Sequence, residues 1–276
     1  MLETDTPVTR VEACSLSAVR RVAAMLDLEP DAFAEGAPLP RGWHFMLLGA
    51  DTRRSELRGD GFPGLGVPMP DLGLPRLMLG GRSVTYQADI PIGATVRRTS
   101  VIKSLTQKKA AAGPMAVAKI LHELQVADAA RPAVVEEQTY LLLGPRQGVA
   151  VDGDAPASPA ASDEHTSVVV PDETLLFQYS ALGFNSHKIH IDRSYAREVE
   201  LFPDLVVNGG LATLLLTEFL RRELAAVLSR VEVRHLAPLF CNRPITLAAN
   251  RDGASWRLKA LDDKNRLAVD MEVTVQ

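Results

Sequence analysis

Apolar and polar positions change their period along this chain in a way that marks out its elements. Leu16, Val19, Val22, Ala23 and Leu26 recur at helical spacing, and Pro30 suits the first turn of another helix, so residues 13–36 predict two short helices. Residues 46–57 (MLLGADTRRSEL) read as one more helix, interrupted at Gly49. From residue 77 the period shortens to two. RSVTYQADI, ATVRRTSVIKSL, PMAVAKILHELQV and VVEEQTYLLL alternate or carry β-branched residues, and they predict an antiparallel meander with KKAAAGP as one of its turns.

The pattern then repeats. An apolar segment runs into Tyr179, a long apolar helix is predicted at about 209–228, and VEVRHLAPL, PITLAANR, SWRLKALD and RLAVDMEVTV form a second meander. RSVTYQADIP is answered by SRVEVRHLAP, each a strand that closes at a proline (Pro91 and Pro238) before the next strand. This is the mark of an internal duplication. The predicted helix is apolar on most faces (Leu211, Leu214, Leu215, Leu216, Phe219, Leu220), as a helix enclosed by a curved sheet must be, and Arg221 and Arg222 complement the dipole at its end. Helix plus antiparallel meander, twice over, is an α+β architecture.

Two stretches fit neither period. Residues 59–76 (GDGFPGLGVPMPDLGLPR) are too rich in glycine and proline for regular structure, and their apolar members either line a binding site or cover a sheet. Residues 144–168 are rich in Ala, Ser, Pro, Gly and Asp and read as a linker. The expected division is 1–145, a linker at 146–167, and 168–276.

Composition narrows the function classes. A formal net charge of −4 without a dense Lys/Arg block argues against nucleic acid as a partner. Two cysteines, Cys14 and Cys241, are too few for a disulfide framework or a thiolate metal site, and the six histidines lack zinc spacing. No run approaches the ~18 apolar residues of a membrane span, and residues 1–25 lack a signal-peptide core. The expectation is a soluble, cytoplasmic protein with no metal and no redox cofactor.

Candidate chemistry gathers in YSALGFNSHKIHID, residues 179–192, and in the helix start that follows. Asn185, His187, Lys188 and His190 crowd into six positions, and Asn208, Gly209 and Gly210 open the predicted helix. A His beside an amide, followed by a Gly-rich helix start with free backbone N–H groups, suits chemistry on a carbonyl. His190 can exchange a proton near neutral pH, whereas the Asn185 amide does not titrate and can only orient a partner. The N–H groups of Gly209 and Gly210 are placed for an oxyanion, although a Gly-Gly pair also serves close helix–sheet packing. His187 reads as structural. Asn208 is either a helix N-cap or a substrate contact. Tyr179 and Phe184 read as core or pocket lining. Lys188 is either solvated or placed to meet a phosphate. Arg53, Arg54, Arg76, Arg221 and Arg222 are candidates for phosphates or a second carboxylate.

With these residues, FQYSALGFNSHKIHID followed by FPDLVVNGGLATLLL resembles the MaoC-like hotdog hydratases and dehydratases. It is most similar to the double-hotdog branch that holds mesaconyl-C4-CoA hydratase, itaconyl-CoA hydratase and the mitochondrial 3-hydroxyacyl-thioester dehydratase. PLPRGWHF and LPRLMLGGRSVTYQADIPIGATVRR are similar to that branch's first hotdog, so the resemblance covers about 37–145 and 168–276. It implies a double hotdog, two antiparallel sheets each wrapped on a central helix, with the active site in the C-terminal hotdog.

The wider group carries an Asp and, five positions later, a His over the hotdog helix. The His falls on His190 and the Asp position on Asn185, which the double-hotdog branch commonly carries as Asn. Asn208-Gly209 stands where His-Gly is usual, Gly210 where Pro is common, and Gln178 where an Arg is frequent. The resemblance thus implies a hydro-lyase adding water to an α,β-unsaturated acyl-CoA, such as itaconyl-CoA or mesaconyl-C4-CoA giving citramalyl-CoA or similar. Coenzyme A enters as part of the substrate and no further cofactor is implied.

In that chemistry His190 is the general base/acid, Asn185 positions the water, and Gly209 and Gly210 form the oxyanion hole. Tyr179, Phe184, Lys188, Asn208 and Arg76 contact the substrate. The resemblance also allows a homodimer of double-hotdog chains. The competing readings are a 3-hydroxyacyl-thioester dehydratase of fatty-acid metabolism, a hotdog thioesterase, and a non-catalytic acyl-thioester-binding subunit. No carboxylate lies between Leu205 and Thr217 to serve the thioesterase.

Overall fold

The computed structural model describes residues 6–110, 113–145 and 164–276. Its backbone packing divides the chain into two units, Met1–Pro145 with Ala181–Ser186, and Arg146–Ser180 with His187–Gln276.

The first unit holds β1 (Val8–Ala13), α1 (Leu16–Met25), β2 (Arg76–Tyr86), β3 (Thr95–Ala110), β4 (Gly113–Val126) and β5 (Val134–Leu143). Its strands lie in the order β1-β3-β4-β5-β2, with each neighbouring pair antiparallel. Alternation buries one face: Ala116, Ala118, Ile120, His122 and Leu124 of β4 all point inward. Leu65, Leu77, Ile102, Ala116, Ala118, Ile120 and Leu142 form one apolar cluster of this unit.

The second unit holds β6 (His165–Val169), most of α2 (Glu173–Leu182), α3 (Gly209–Glu223), β7 (Leu228–His235), β8 (Ile245–Asp252), β9 (Ser255–Leu261) and β10 (Leu267–Val275). Its strand order is β6-β8-β9-β10-β7, again antiparallel throughout. Taken one for one in chain order, these strands reproduce the order of the first unit, so the duplication read from the two proline-closed strands is a duplication of topology. α3 packs on β8 and β9. Leu211, Leu214, Leu216 and Leu220 are essentially inaccessible to solvent, and the burial of each contributes about 1.5–3 kcal/mol relative to leaving it exposed.

The helical layer of the first unit is built from shorter pieces. α1 begins at a Ser15 cap, whose side chain accepts from the Ala18 N–H, and it buries Val19, Val22, Ala23 and Met25. The second helix expected before residue 36 is a single 3₁₀ turn, Pro30–Ala32. The helix expected at 46–57 is replaced by 3₁₀ turns at Trp43–Leu47 and Arg54–Glu56. Tertiary contacts override helix propensity here, because the buried Arg98 of β3 donates to the carbonyls of Leu47 and Gly49 at 3.0 and 2.8 Å. Those acceptors would otherwise serve an α-helix.

Other boundaries moved for equally local reasons. α3 ends at Glu223, not near 228, because Ala225 turns into the left-handed region (φ 50°) and Leu228 already belongs to β7. α2 stands where only an apolar segment was expected, and β1 lies in a stretch without an assigned element. The linker expected at 146–167 falls at 146–163 outside the described residues, and its last three positions belong to β6, paired with β8. β6 shows no alternation because none of its residues is buried. Part of the KKAAAGP turn, residues 111–112, also lies outside the described residues.

Candidate active site

His190 closes a 3₁₀ turn, Lys188–His190, and is 7% exposed. Two hydrogen bonds tie this turn to the chain ahead of α3: Val206 N–H to the Ile189 carbonyl at 2.9 Å, and His190 Nδ1 to the Val206 carbonyl at 2.7 Å. A carbonyl oxygen can only accept, so Nδ1 carries the proton and Nε2 presents its lone pair. Burial, aided by His187, outweighs the Val206 hydrogen bond and pushes the imidazole down to about 3. At neutral pH His190 is therefore uncharged.

His187 packs edge-on against His190, with ring centroids 5.4 Å apart, and is 6% exposed. Ile189, Phe202, Val206 and Phe240 form the apolar cluster beneath, with Tyr195 against it. Lys188 lies with its ammonium 5.2 Å from the Tyr195 ring centroid, a cation–π contact that draws it toward the ring.

Asn208 occupies the N-cap position of α3, yet its side chain makes no capping bond. Its Nδ2 donates to the Ser180 hydroxyl at 3.2 Å, and its buried Oδ1 has no partner among the described residues. The N–H groups of Gly209 and Gly210 thus open the helix without a side-chain cap, at the end where the dipole favours negative charge. Tyr179 is buried on α2 beside Ser180. The second unit therefore holds His187, Lys188, His190, Asn208, Gly209, Gly210 and Tyr179, of which the His190 turn and the Val206–Gly210 stretch are joined directly.

Asn185, Phe184 and Arg76 belong to the first unit. The segment bearing Asn185 is anchored there by the Ser186 hydroxyl, which donates to the Gly61 carbonyl at 2.7 Å. Of the two places expected for Phe184, core or pocket lining, the core is excluded: it is 61% exposed and holds a left-handed φ of 47°. With Arg10, Met46 and Leu182 it borders a hollow of about 360 Å³. Arg76 opens β2 opposite Leu143, away from any sequence cluster of candidate residues.

Two groups escaped sequence reasoning. Ser180 and the Val206 carbonyl position Asn208 and His190, and neither a lone serine nor a backbone oxygen carries a sequence signal. The second is a polar belt across the inner face of the first sheet. Glu136 accepts from His44 Nε2 at 2.6 Å and from Gln138 at 2.6 Å, with Arg82 at 3.5 Å, and Ser100 meets His122 Nδ1 at 2.8 Å. Burial alone would raise the Glu136 carboxyl, but Arg82, His44 and Gln138 hold it well below the usual range. Burial pushes His122 down to about 4, despite the pull of Glu136. A signal for this belt was present, since Glu136 and Gln138 share the inward phase of β5 with Val134 and Leu142.

The Gly/Pro stretch packs over the sheet, as one of its two expected readings had it. Leu65 joins the core cluster, with Phe62, Val67, Met69 and Leu72 against it, and the same loop walls a pocket of about 570 Å³.

The chain matches the family described as hydroxyacyl-thioester dehydratase type 2 over residues 42–241. It is 36% identical over 242 residues to the mesaconyl-C(4)-CoA hydratase of Chloroflexus aurantiacus, a match spanning 87% of this chain and 85% of that protein. A MaoC-like dehydratase from Phytophthora capsici has a similar structure, with a TM-score of 0.71 at 14% identity over 99% of this chain and 95% of the other. A double-hotdog protein of Mycobacterium tuberculosis gives a TM-score of 0.56 at 13% identity, over 99% and 96%. These structural likenesses establish the fold, an α+β double hotdog.

Proposed function

The chain belongs to the hydroxyacyl-thioester dehydratase type 2 family and is a lyase of the acyl-thioester hydratase/dehydratase kind; on that premise we propose that it reversibly hydrates a short, branched or dicarboxylic enoyl-CoA, of the mesaconyl-C4-CoA or itaconyl-CoA type. The 36% identity to a mesaconyl-C(4)-CoA hydratase supports this choice of acyl group over a fatty acyl chain.

The observation that carries the chemistry is the neutral His190, whose Nδ1–H is held by Val206 and whose Nε2 is left to accept. In the hydration direction Nε2 takes a proton from water as the oxygen bonds to the β-carbon. The π electrons of the double bond move toward the thioester carbonyl, and the N–H groups of Gly209 and Gly210 stabilise the enolate oxygen. A proton then reaches the α-carbon from the imidazolium, so one water is added and the histidine returns neutral. Asn185, which cannot titrate, orients the water. Asn208 Oδ1, buried and without a partner among the described residues, accepts a donor from substrate or water.

The test is loss of enoyl-thioester absorbance with mesaconyl-C4-CoA, itaconyl-CoA, crotonyl-CoA and a longer enoyl-CoA, for wild type and His190→Ala. A dicarboxylic substrate turned over fastest, with the rate lost in the variant, is expected. Release of free CoA without hydration would replace the reading with a thioesterase.

A further inference from the structure

The pocket walled by the Gly/Pro loop of the first unit ends in a corner that the hydratase chemistry does not use. Arg10, on the edge strand β1, pairs with Asp51 through Nη2, while its Nη1 is buried and has no hydrogen-bond partner among the described residues. A buried unpartnered guanidinium N–H is costly, which marks it as a donor waiting for an acceptor. Gly66, in the left-handed region at φ 77°, lies over it. A Cβ on Gly66 would sit 3.8 Å from Arg10 Nη1, 3.7 Å from Ser100 Oγ and 3.8 Å from His122 Cε1, so the absent side chain leaves a cradle facing these three atoms.

The side chains beside the cradle are already engaged with one another. The Gln138 amide donates to Glu136, and its oxygen accepts from Tyr140 at 2.8 Å. Ser100 Oγ and His122 Nδ1 engage one another at 2.8 Å. Arg10 Nη1 is the cradle's donor that has no partner among the described residues. The rest of the pocket, about 570 Å³, is lined by apolar side chains including Phe62, Leu65, Val67, Met69 and Leu142. That volume is typical of sites for small organic ligands. The other charges on its wall are engaged: Arg58 with Asp60, Glu56 with Arg53, and Asp71 with the Gly73 N–H.

We propose that this pocket binds an apolar chain ending in a carboxylate, with the Arg10 guanidinium receiving the carboxylate beside Gly66. Two sources share that chemistry, a free carboxylic acid and the distal carboxylate of an acyl thioester. The second source rests on the function proposed above.

Calorimetry with octanoate and with octan-1-ol, on wild type, Arg10→Met and Arg10→Lys, tests the site without any turnover. Octanoate is expected to bind the wild type at least tenfold more tightly than Arg10→Met, with Arg10→Lys between them and octanol indifferent to all three. Thermal melting of each variant confirms that the fold is intact. In parallel, kcat/KM is measured for dicarboxylic and monocarboxylic enoyl-CoA of equal chain length. A fall in the dicarboxylic-to-monocarboxylic ratio in Arg10→Met identifies the acyl thioester as the source, and an unchanged ratio with charge-dependent octanoate binding identifies a free acid. Octanoate binding that ignores Arg10, or absence of binding together with an unchanged ratio, overturns the proposal and leaves the cradle to water. Failure of the wild type to hydrate any thioester bears on the hydratase reading alone, since the calorimetric arm stands apart from it.

Discussion

The Val206 carbonyl accepts the Nδ1–H of His190 at 2.7 Å. This one bond fixes the tautomer, aims the ring, and joins the His190 turn to the stretch that opens α3. His190→Ala is expected to lower kcat/KM by about 10²–10⁴-fold, the usual contribution of a positioned acid/base. It also leaves the Val206 carbonyl without its donor, so a stability loss of about 1–3 kcal/mol accompanies it. Kinetics of thioester hydration and urea denaturation measure the two effects separately.

Asn185 tests whether orientation of the water suffices. Asn185→Asp keeps an oxygen that can orient a water and is expected to retain hydration activity, whereas Asn185→Ala is expected to lose at least about tenfold, on the order of 1.4 kcal/mol of transition-state stabilisation. Equal losses in the two variants would remove Asn185 from the chemistry.

Asn208 stands at an N-cap without capping. Asn208→Ala therefore removes an amide whose Oδ1 has no partner among the described residues and whose Nδ2 makes one long bond to Ser180. The expected change in stability is under about 1 kcal/mol, at or below the typical loss of a true cap. Activity is expected to fall while the urea midpoint barely moves. A large shift of the midpoint with unchanged kinetics would make Asn208 structural.

Stability is expected to fall as pH drops below the ordinary histidine range. Burial holds His190 at about 3 and His122 at about 4, against about 6.5 in the unfolded chain. Between those values the unfolded state binds protons that the folded state refuses, so each histidine adds a slope approaching about 1.4 kcal/mol per pH unit. The depressed Glu136 carboxyl acts in the same sense at still lower pH. Urea titrations at pH 7, 6 and 5 for wild type and His122→Gln check this, and the variant is expected to show a shallower fall.

Glu136 is the hub of the belt in the first sheet, inaccessible to solvent and facing Arg82, His44 and Gln138. Glu136→Ala removes the buried carboxylate that faces Arg82 and accepts from His44 and Gln138, and a loss of about 3–5 kcal/mol is expected. A Glu136→Ala, Arg82→Met double variant is expected to recover part of it, as measured by urea denaturation.

Much of the architecture was legible in residue order. The period-two runs marked β2 to β5 and β7 to β10, and the proline-closed pair 82–91 and 229–238 marked the β2/β7 equivalence that the two identical strand orders display. The apolar run after Gly210 announced an enclosed helix. His190, Asn208 and the Gly-Gly start were singled out by residue type and spacing, which local sequence carries directly. β6 was not legible because an edge strand with no buried residue needs no alternation, and β1 was not because its inward positions include Arg10 and Glu12, which are held by ion pairs and carry no apolar period.

What the sequence determined by itself were the elements whose stability comes from their own apolar pattern, and the residue types able to do proton chemistry. Only the tertiary structure decided the state of those groups. His190 is neutral because burial makes it so, and its tautomer is set by a carbonyl sixteen residues away. Residues 46–57 are not a helix because Arg98, on a distant strand, takes their carbonyls. Arg10 Nη1 lies beside Gly66 without a partner among the described residues. Desolvation and hydrogen-bond satisfaction are set by neighbours in space, and neighbours in space are what a linear sequence does not display.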